Sequence, residues 1–201
     1  MGLRERKVER TRTALATAAI ELFLAEGYEA TTMEQIAERA ELGSSTLYRH
    51  FPTKDLLLLD WFVRRFDLAA ALRERPDDEP LPIALRRALV ALLELPSPTG
   101  SHQLDVRLRR LIDTNPGPRA RLWDFVVGVR DALQQEVGRR MGRPADDLEV
   151  VTTARFAALA HEIVAERIWS GDGDEDAVAE LDRVLHALHR IEPVLPDPNA
   201  G

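Results

Sequence analysis

Thr32-Met33-Glu34-Gln35-Ile36-Ala37-Glu38-Arg39-Ala40-Glu41-Leu42-Gly43-Ser44-Ser45-Thr46-Leu47-Tyr48-Arg49-His50-Phe51 is the stretch on which the reading of this chain turns. Thr32 with Gln35 three residues on has the form of a capping box, which predicts a helix starting there. Ile36, Ala37 and Ala40 give that helix an apolar face, and Ala37 is small enough for close helix contact. Gly43 is an acceptable amino cap for a second helix from Ser44 to about Phe51. Its buried face is Leu47 and Phe51, four residues apart. The other positions of that second helix carry hydroxyls, a phenol and cations: Ser44, Ser45, Thr46, Tyr48, Arg49 and His50. Two short helices joined by a tight turn, the second polar on its free side, are the layout of a helix-turn-helix. The second helix of that motif enters the DNA major groove.

Working outward, helical periodicity begins near Val8, with Leu15, Ala18, Ala19, Leu22 and Phe23 at three- and four-residue spacing. Gly27 is placed to end that helix as a carboxyl-terminal cap. On the other side, Pro52-Thr53 ends the motif, and Thr53 is a candidate cap for a long fourth helix from Lys54. Further breaks are expected from Pro76 to Pro82, Pro96 to Gly100, Asn115 to Pro118, Gly142 to Pro144 and Gly171 to Gly173. Five more helical segments lie between them, with no strand pattern, so the fold class is all-α with about nine helices. The last two, about 146–170 and 174–191, are apolar on more than one face. In the first of these, Val150, Ala154, Ala157, His161, Val164 and Ile168 form one stripe, and Phe156, Leu159, Ala160 and Ile163 another. A helix apolar on two faces is expected to be buried on both, for instance against its own core and a second subunit. The tail from Pro193 reads as loose.

The 201 residues contain no cysteine, which excludes a disulfide framework, a thiolate metal site and a cysteine nucleophile. The basic amino end is followed by no apolar run, so no signal peptide and no membrane-spanning segment are expected, and a reducing cytoplasm is the natural setting. The net charge of −7 argues at first against a nucleic-acid partner. Its distribution does not. Residues 1–54 carry eight Lys/Arg (Arg4, Arg6, Lys7, Arg10, Arg12, Arg39, Arg49, Lys54) against eight Asp/Glu, so the whole deficit of seven lies in 55–201. The front cations gather at the amino arm and at the end of the motif.

Residues from about Arg10 to Leu58 resemble the amino-terminal domain of TetR-family transcriptional regulators. The pieces that carry the resemblance are Ala18-Ala19-Ile20-Glu21-Leu22-Phe23, Gly27-Tyr28, Thr31-Thr32, Ile36-Ala37, Thr46-Leu47-Tyr48, His50-Phe51, and Lys54 followed by Leu56-Leu57. The resemblance implies a helix-turn-helix DNA-binding domain over 1–53 and a ligand-binding and dimerisation domain over 54–201. It implies a double-stranded DNA operator, a small-molecule effector and a homodimer through the last two helices. No cofactor, metal or membrane partner is expected.

Ser44, Ser45 and Thr46 would then present hydroxyls to base edges, although the same residue types also suit any helix start. Arg49 would read guanine or clamp a phosphate. Tyr48, His50 and Lys54 resemble the family's phosphate contacts, and Thr32 and Met33 sit where the amino end of a helix approaches a phosphate. One departure concerns the turn. The family often has glycine where this chain has Glu41, and serine where Gly43 stands. A left-handed Glu41 would store roughly 1–2 kcal/mol of strain.

No catalytic constellation emerges, and no enzyme is expected. Asp182, His186 and His189 share a helical face, which reads as an exposed or subunit-facing stripe rather than a metal site. A pocket is expected from the middle helices. Trp123, Val127, Arg130 and Gln134 form a stripe suited to an amphipathic ligand, with His161 as a further lining residue. An ordinary surface stripe has the same pattern. The run from Arg107 to Ile112, followed by Asn115 to Leu122, is loosely similar to a rear-domain subgroup associated with acyl-CoA-like ligands. Two functional readings result: a homodimeric repressor released from a pseudo-palindromic operator by a small molecule, and a helical ligand-binding or small enzymatic bundle whose front motif only packs.

Overall fold

The computed structural model describes residues 2–97, 99–170 and 176–190. Those residues form ten helices and no strand. They are α1 (Leu3–Glu26), α2 (Met33–Arg39), α3 (Ser44–His50), α4 (Lys54–Phe66), α5 (Leu68–Arg73), α6 (Leu81–Leu93), α7 (His102–Thr114), α8 (Pro116–Met141), α9 (Leu148–Ser170) and α10 (Ala177–Arg190). The count exceeds the expected nine because the fourth helix is interrupted. Asp67 leaves the helical conformation (φ −79°, ψ 65°), and its carboxylate accepts from the Ala70 N–H at 2.9 Å, starting α5 afresh. An aspartate that caps so well ends one helix and begins the next.

Other boundaries differ in instructive ways. The first helix starts at Leu3, before the periodicity that begins near Val8, because charged residues continue a helix without an apolar face. Pro116, Gly117 and Pro118 lie within the first turn of α8 and not in a break before it, since the orphan N–H positions of a first turn tolerate proline. Thr53 does not cap α4: its hydroxyl is buried without a hydrogen-bond partner. Gly171 to Gly173 and the tail from Pro193 lie outside the described residues.

The chain packs as two compact units. The first contains residues 1–66 and 96–128, the second residues 67–95 and 129–201, the division falling inside α8. In the first unit, Leu15, Ala19 and Phe23 of α1 are buried, as are Ile36 of α2, Leu47 of α3 and Phe51. Leu57, Leu58 and Phe62 of α4 and Leu108 and Ile112 of α7 are buried as well. Gly27 closes α1 at φ 92°, with its N–H bonded to the Phe23 carbonyl. Few other residues adopt that conformation without strain.

The second unit has its own apolar cluster, drawn from Leu68 and Leu72 of α5, Ala84, Ala88 and Leu89 of α6, Leu133 and Val137 of α8, Val150, Ala157 and Val164 of α9, and Leu181 of α10. A guanidinium is built into this unit. The Arg140 side chain, 3% exposed, donates to the carbonyls of Leu72 (2.7 Å), Arg75 (2.6 Å) and Pro76 (3.0 Å) and pairs with buried Glu136. These carbonyls close the end of α5, where four C=O groups have no partner within the helix. On α9, Val150, Ala154, Ala157, His161 and Val164 line the core as expected. The second stripe divides: Ala160 is buried, while Phe156 and Leu159 stay 40% and 39% exposed. No helix among the described residues is long and apolar enough to cross a membrane.

Candidate nucleic-acid interface

The α2–α3 pair is held by a capping box and a strained turn. Thr32 Oγ1 accepts from Gln35 N (3.2 Å), and Gln35 Oε1 accepts from Thr32 N (2.7 Å). At the other end Glu41 sits at φ 55°, the one non-glycine with positive φ among the described residues. Its N–H bonds to Glu38 O and that of Leu42 to Ala37 O, both at 2.9 Å. These two bonds form a Schellman motif, whose left-handed position usually holds glycine. The turn therefore holds a residue that its backbone conformation disfavours.

From this base α3 presents a polar side. Leu47 is fully buried, while Ser44, Ser45, Tyr48 and Arg49 are exposed, and Thr46 and His50 are half-buried. Arg49 makes no ion pair among the described residues, so its guanidinium is free to meet an anion or a base edge. Thr32 is exposed and Met33 half-buried at the start of α2. The Tyr48 hydroxyl donates to Glu34 Oε1 at 3.1 Å. That hydrogen bond to a carboxylate raises the phenol's pKa above its ordinary value.

Lys54 turns towards the chain itself. Its ammonium donates to the carbonyls of Tyr28 (2.6 Å), Thr31 (3.0 Å) and Glu29 (3.5 Å) and sits 4.4 Å from the centre of the Tyr28 ring. An ammonium has three N–H groups, and all three are directed at the loop between α1 and α2. The adjacent Asp55 accepts from the Tyr28 hydroxyl and pairs with Arg121 of α8 at 3.2 Å. Burial first, and then the Asp55 hydrogen bond, push the Tyr28 phenol far above its usual pKa. Arg12, counted from sequence among the front cations, bonds Asp60 of α4 (Nε–Oδ1 2.7 Å) and stacks over Phe51 at 4.9 Å. Arg4, Arg6, Lys7 and Arg10 stay exposed on α1. Sequence reading missed the partners Glu34, Asp55 and Asp60. Each lies at least 14 residues from the side chain it binds, beyond any local periodicity.

The expected effector residues are separately disposed. Trp123 and Val127 belong to the first unit and are 66% and 44% exposed. In the second unit Arg130 faces Glu162 at 3.7 Å, the Gln134 amide donates to Ala145 O at 2.7 Å, and His161 is buried. An apolar groove of about 580 Å³ also lies in this unit, bounded by residues that include Leu85 and Leu89, Phe156 and Ala157, and Leu185 and Leu188. None of the five expected residues lines it. The imidazoles of His186 and His189 each point a ring nitrogen at the carbonyl four residues earlier, at 2.7 and 2.8 Å.

Residues 15–60 match the family model for bacterial regulatory proteins of the tetR family, and residues 79–193 match that for the MftR C-terminal domain. The HTH-type transcriptional regulator TcmR of Streptomyces glaucescens is 35% identical over 204 residues, spanning 96% of this chain and 88% of that protein. The putative mycofactocin biosynthesis transcriptional regulator MftR of Mycobacterium tuberculosis is 29% identical over 174 residues, spanning 84% and 86% respectively. Among solved structures, the fold is similar to Thermus thermophilus FadR, a TetR-family repressor in complex with lauroyl-CoA. That match has a TM-score of 0.57 at 23% identity, covering 94% of this chain and 99% of the other.

Proposed function

Because this chain belongs to the TetR family of DNA-binding transcriptional regulators, we propose that it is a homodimeric repressor that leaves its operator when a small molecule binds. The relatives are regulators, which removes the enzymatic bundle from consideration. The observation that carries the reading is the solvent-facing side of α3, where Ser44, Ser45, Tyr48 and Arg49 project from a helix anchored by fully buried Leu47. In the major groove, the hydroxyls of Ser44, Ser45 and Thr46 meet base edges as donors or acceptors, and Arg49 pairs with guanine or a phosphate. Tyr48, His50 and the Thr32–Met33 end of α2 contact phosphates, which set register without reading sequence. Lys54 acts one step behind them: it fixes the loop that leads into Thr32.

Two copies pair through α9 and α10. Exposed Phe156 and Leu159 and the neighbouring apolar groove support that pairing, since contiguous apolar surface marks an interaction site. The two recognition helices then address half-sites about 34–36 Å apart. The effector is an amphipathic molecule with an acyl chain, by likeness to the lauroyl-CoA-bound neighbour. Exposed Trp123 and Val127 offer apolar surface for it. The setting is the cytoplasm, where operator DNA and acyl thioesters are both found.

The test is selection of duplexes from a random pool by the full chain, followed by affinity measurements across salt. A pseudo-palindrome whose binding weakens steeply as salt rises, and which is released by lauroyl-CoA, is expected. Selection of no sequence, or binding indifferent to salt, overturns the reading.

A further inference from the structure

The Tyr48 hydroxyl is expected at a phosphate, yet in the free chain it already donates to a carboxylate, that of Glu34, at 3.1 Å. A carboxylate and a phosphate are the same kind of partner for a phenol O–H: both are anionic oxygens that accept without donating. Both side chains are exposed on the same helix pair as the other reading residues, Tyr48 on α3 and Glu34 in the first turn of α2. Tyr48 cannot donate its single proton to both. We infer that Glu34 is a built-in competitor that stands in for a DNA phosphate at Tyr48, so that every DNA encounter must displace it and DNA affinity is lowered throughout. The inference rests on the reading of Tyr48 as a phosphate contact.

The consequence is a cost applied to all duplexes alike. A non-specific complex relies almost wholly on phosphate contacts. Exchanging one anionic acceptor for another at Tyr48, while bringing the Glu34 charge near the backbone, takes most of the gain from that contact. A specific complex recovers the difference through base contacts by Ser44, Ser45, Thr46 and Arg49. In the first 54 residues, where cations and acids are equal in number, this is a local way to keep the reading head off random DNA.

The experiment is a double-mutant cycle of Glu34→Ala and Tyr48→Phe in the full chain, each variant checked for an unchanged melting temperature. Two duplexes serve as probes: one selected by the wild-type chain from a random pool, and a scrambled one of equal length. Glu34→Ala is expected to tighten binding to the scrambled duplex about twofold to fivefold, the size of one exposed charge interaction. The selected duplex should tighten by the same factor, so the ratio of the two affinities holds, because the cost falls on both alike. In the Tyr48→Phe background the same substitution should tighten binding distinctly less, because only the repulsion between the Glu34 charge and the DNA backbone is then relieved. In the free chain, Glu34→Ala should also lower the Tyr48 phenol pKa, read by NMR titration. An equal gain in both backgrounds overturns the inference and assigns the effect to bulk charge, and so does no gain at all. If Tyr48→Phe leaves both affinities unchanged in the Glu34→Ala background, where no carboxylate competes for the phenol proton, the phosphate role of Tyr48 fails, and the inference with it.

Discussion

Replacing Glu41 with glycine should stabilise the protein. Glu41 occupies the left-handed position of the α2 Schellman motif at φ 55°, and the N–H bonds of Glu41 and Leu42 lock it there. For an L-residue with a Cβ that conformation costs roughly 1–2 kcal/mol. Glycine removes the cost but adds unfolded-state freedom worth about 0.5–1 kcal/mol in the other direction. The net expectation is a gain of about 0.4–1 kcal/mol. In a chain of 201 residues this corresponds to a rise in melting temperature of roughly 1–4 °C. The Glu41 side chain is exposed and makes no hydrogen bond or ion pair among the described residues, so little is lost with it.

The control is Glu41→Ala, which removes the same charge and keeps the Cβ. It should melt at or below the wild type, and Glu41→Asn should fall between the two because asparagine tolerates the left-handed region. Thermal and urea unfolding at one fixed protomer concentration separate these variants, since dimer stability depends on concentration. If glycine melts no higher than alanine, the strain is not in the backbone of this turn and the argument is wrong.

Arg140→Met should lower stability by about 2 kcal/mol, roughly 4–8 °C in melting temperature, because buried Glu136 loses one of its partners and the carbonyls of Leu72, Arg75 and Pro76 lose a donor. Glu136 is held below its ordinary pKa, first by Arg139 and then by Arg140. Its contribution is therefore present above about pH 4.3 and lost as pH falls through the depressed value, so the gap between wild type and variant should narrow in acid urea titrations. Tyr28 shifts the opposite way: its raised phenol pKa gives stability that is full below about pH 10 and lost above it, as the unfolded chain gives up a proton that the folded chain keeps. Urea midpoints for wild type and Tyr28→Phe should thus converge above pH 10, and a constant difference through pH 11 would contradict the burial of that hydroxyl.

Local pattern made much of the molecule legible. The capping box at Thr32, the cap at Gly27, the Leu47–Phe51 face and the left-handed demand on Glu41 are all properties of a few consecutive residues, and the folded chain realises each of them. The split at Asp67 and the proline-rich start of α8 were less legible, because Asp and Pro are each compatible with ending a helix or with beginning one. Thr53 shows the limit of type-based reading. Threonine suits a cap, yet its hydroxyl is buried without a partner.

By itself the sequence determined the all-helical class, the two short helices of the reading head and which of their positions are polar. These follow from spacings of three and four residues, and such spacings act within one helix. Only the tertiary structure decided what the charged groups of the head do. It turned Lys54 onto the carbonyls of the α1–α2 loop, Arg12 onto Asp60, Asp55 between Tyr28 and Arg121, and Glu34 onto Tyr48. A long cation meets whichever oxygen the folded chain brings within about 3 Å. Pairs 14 to 66 residues apart are brought together by packing and leave no periodic trace in the sequence.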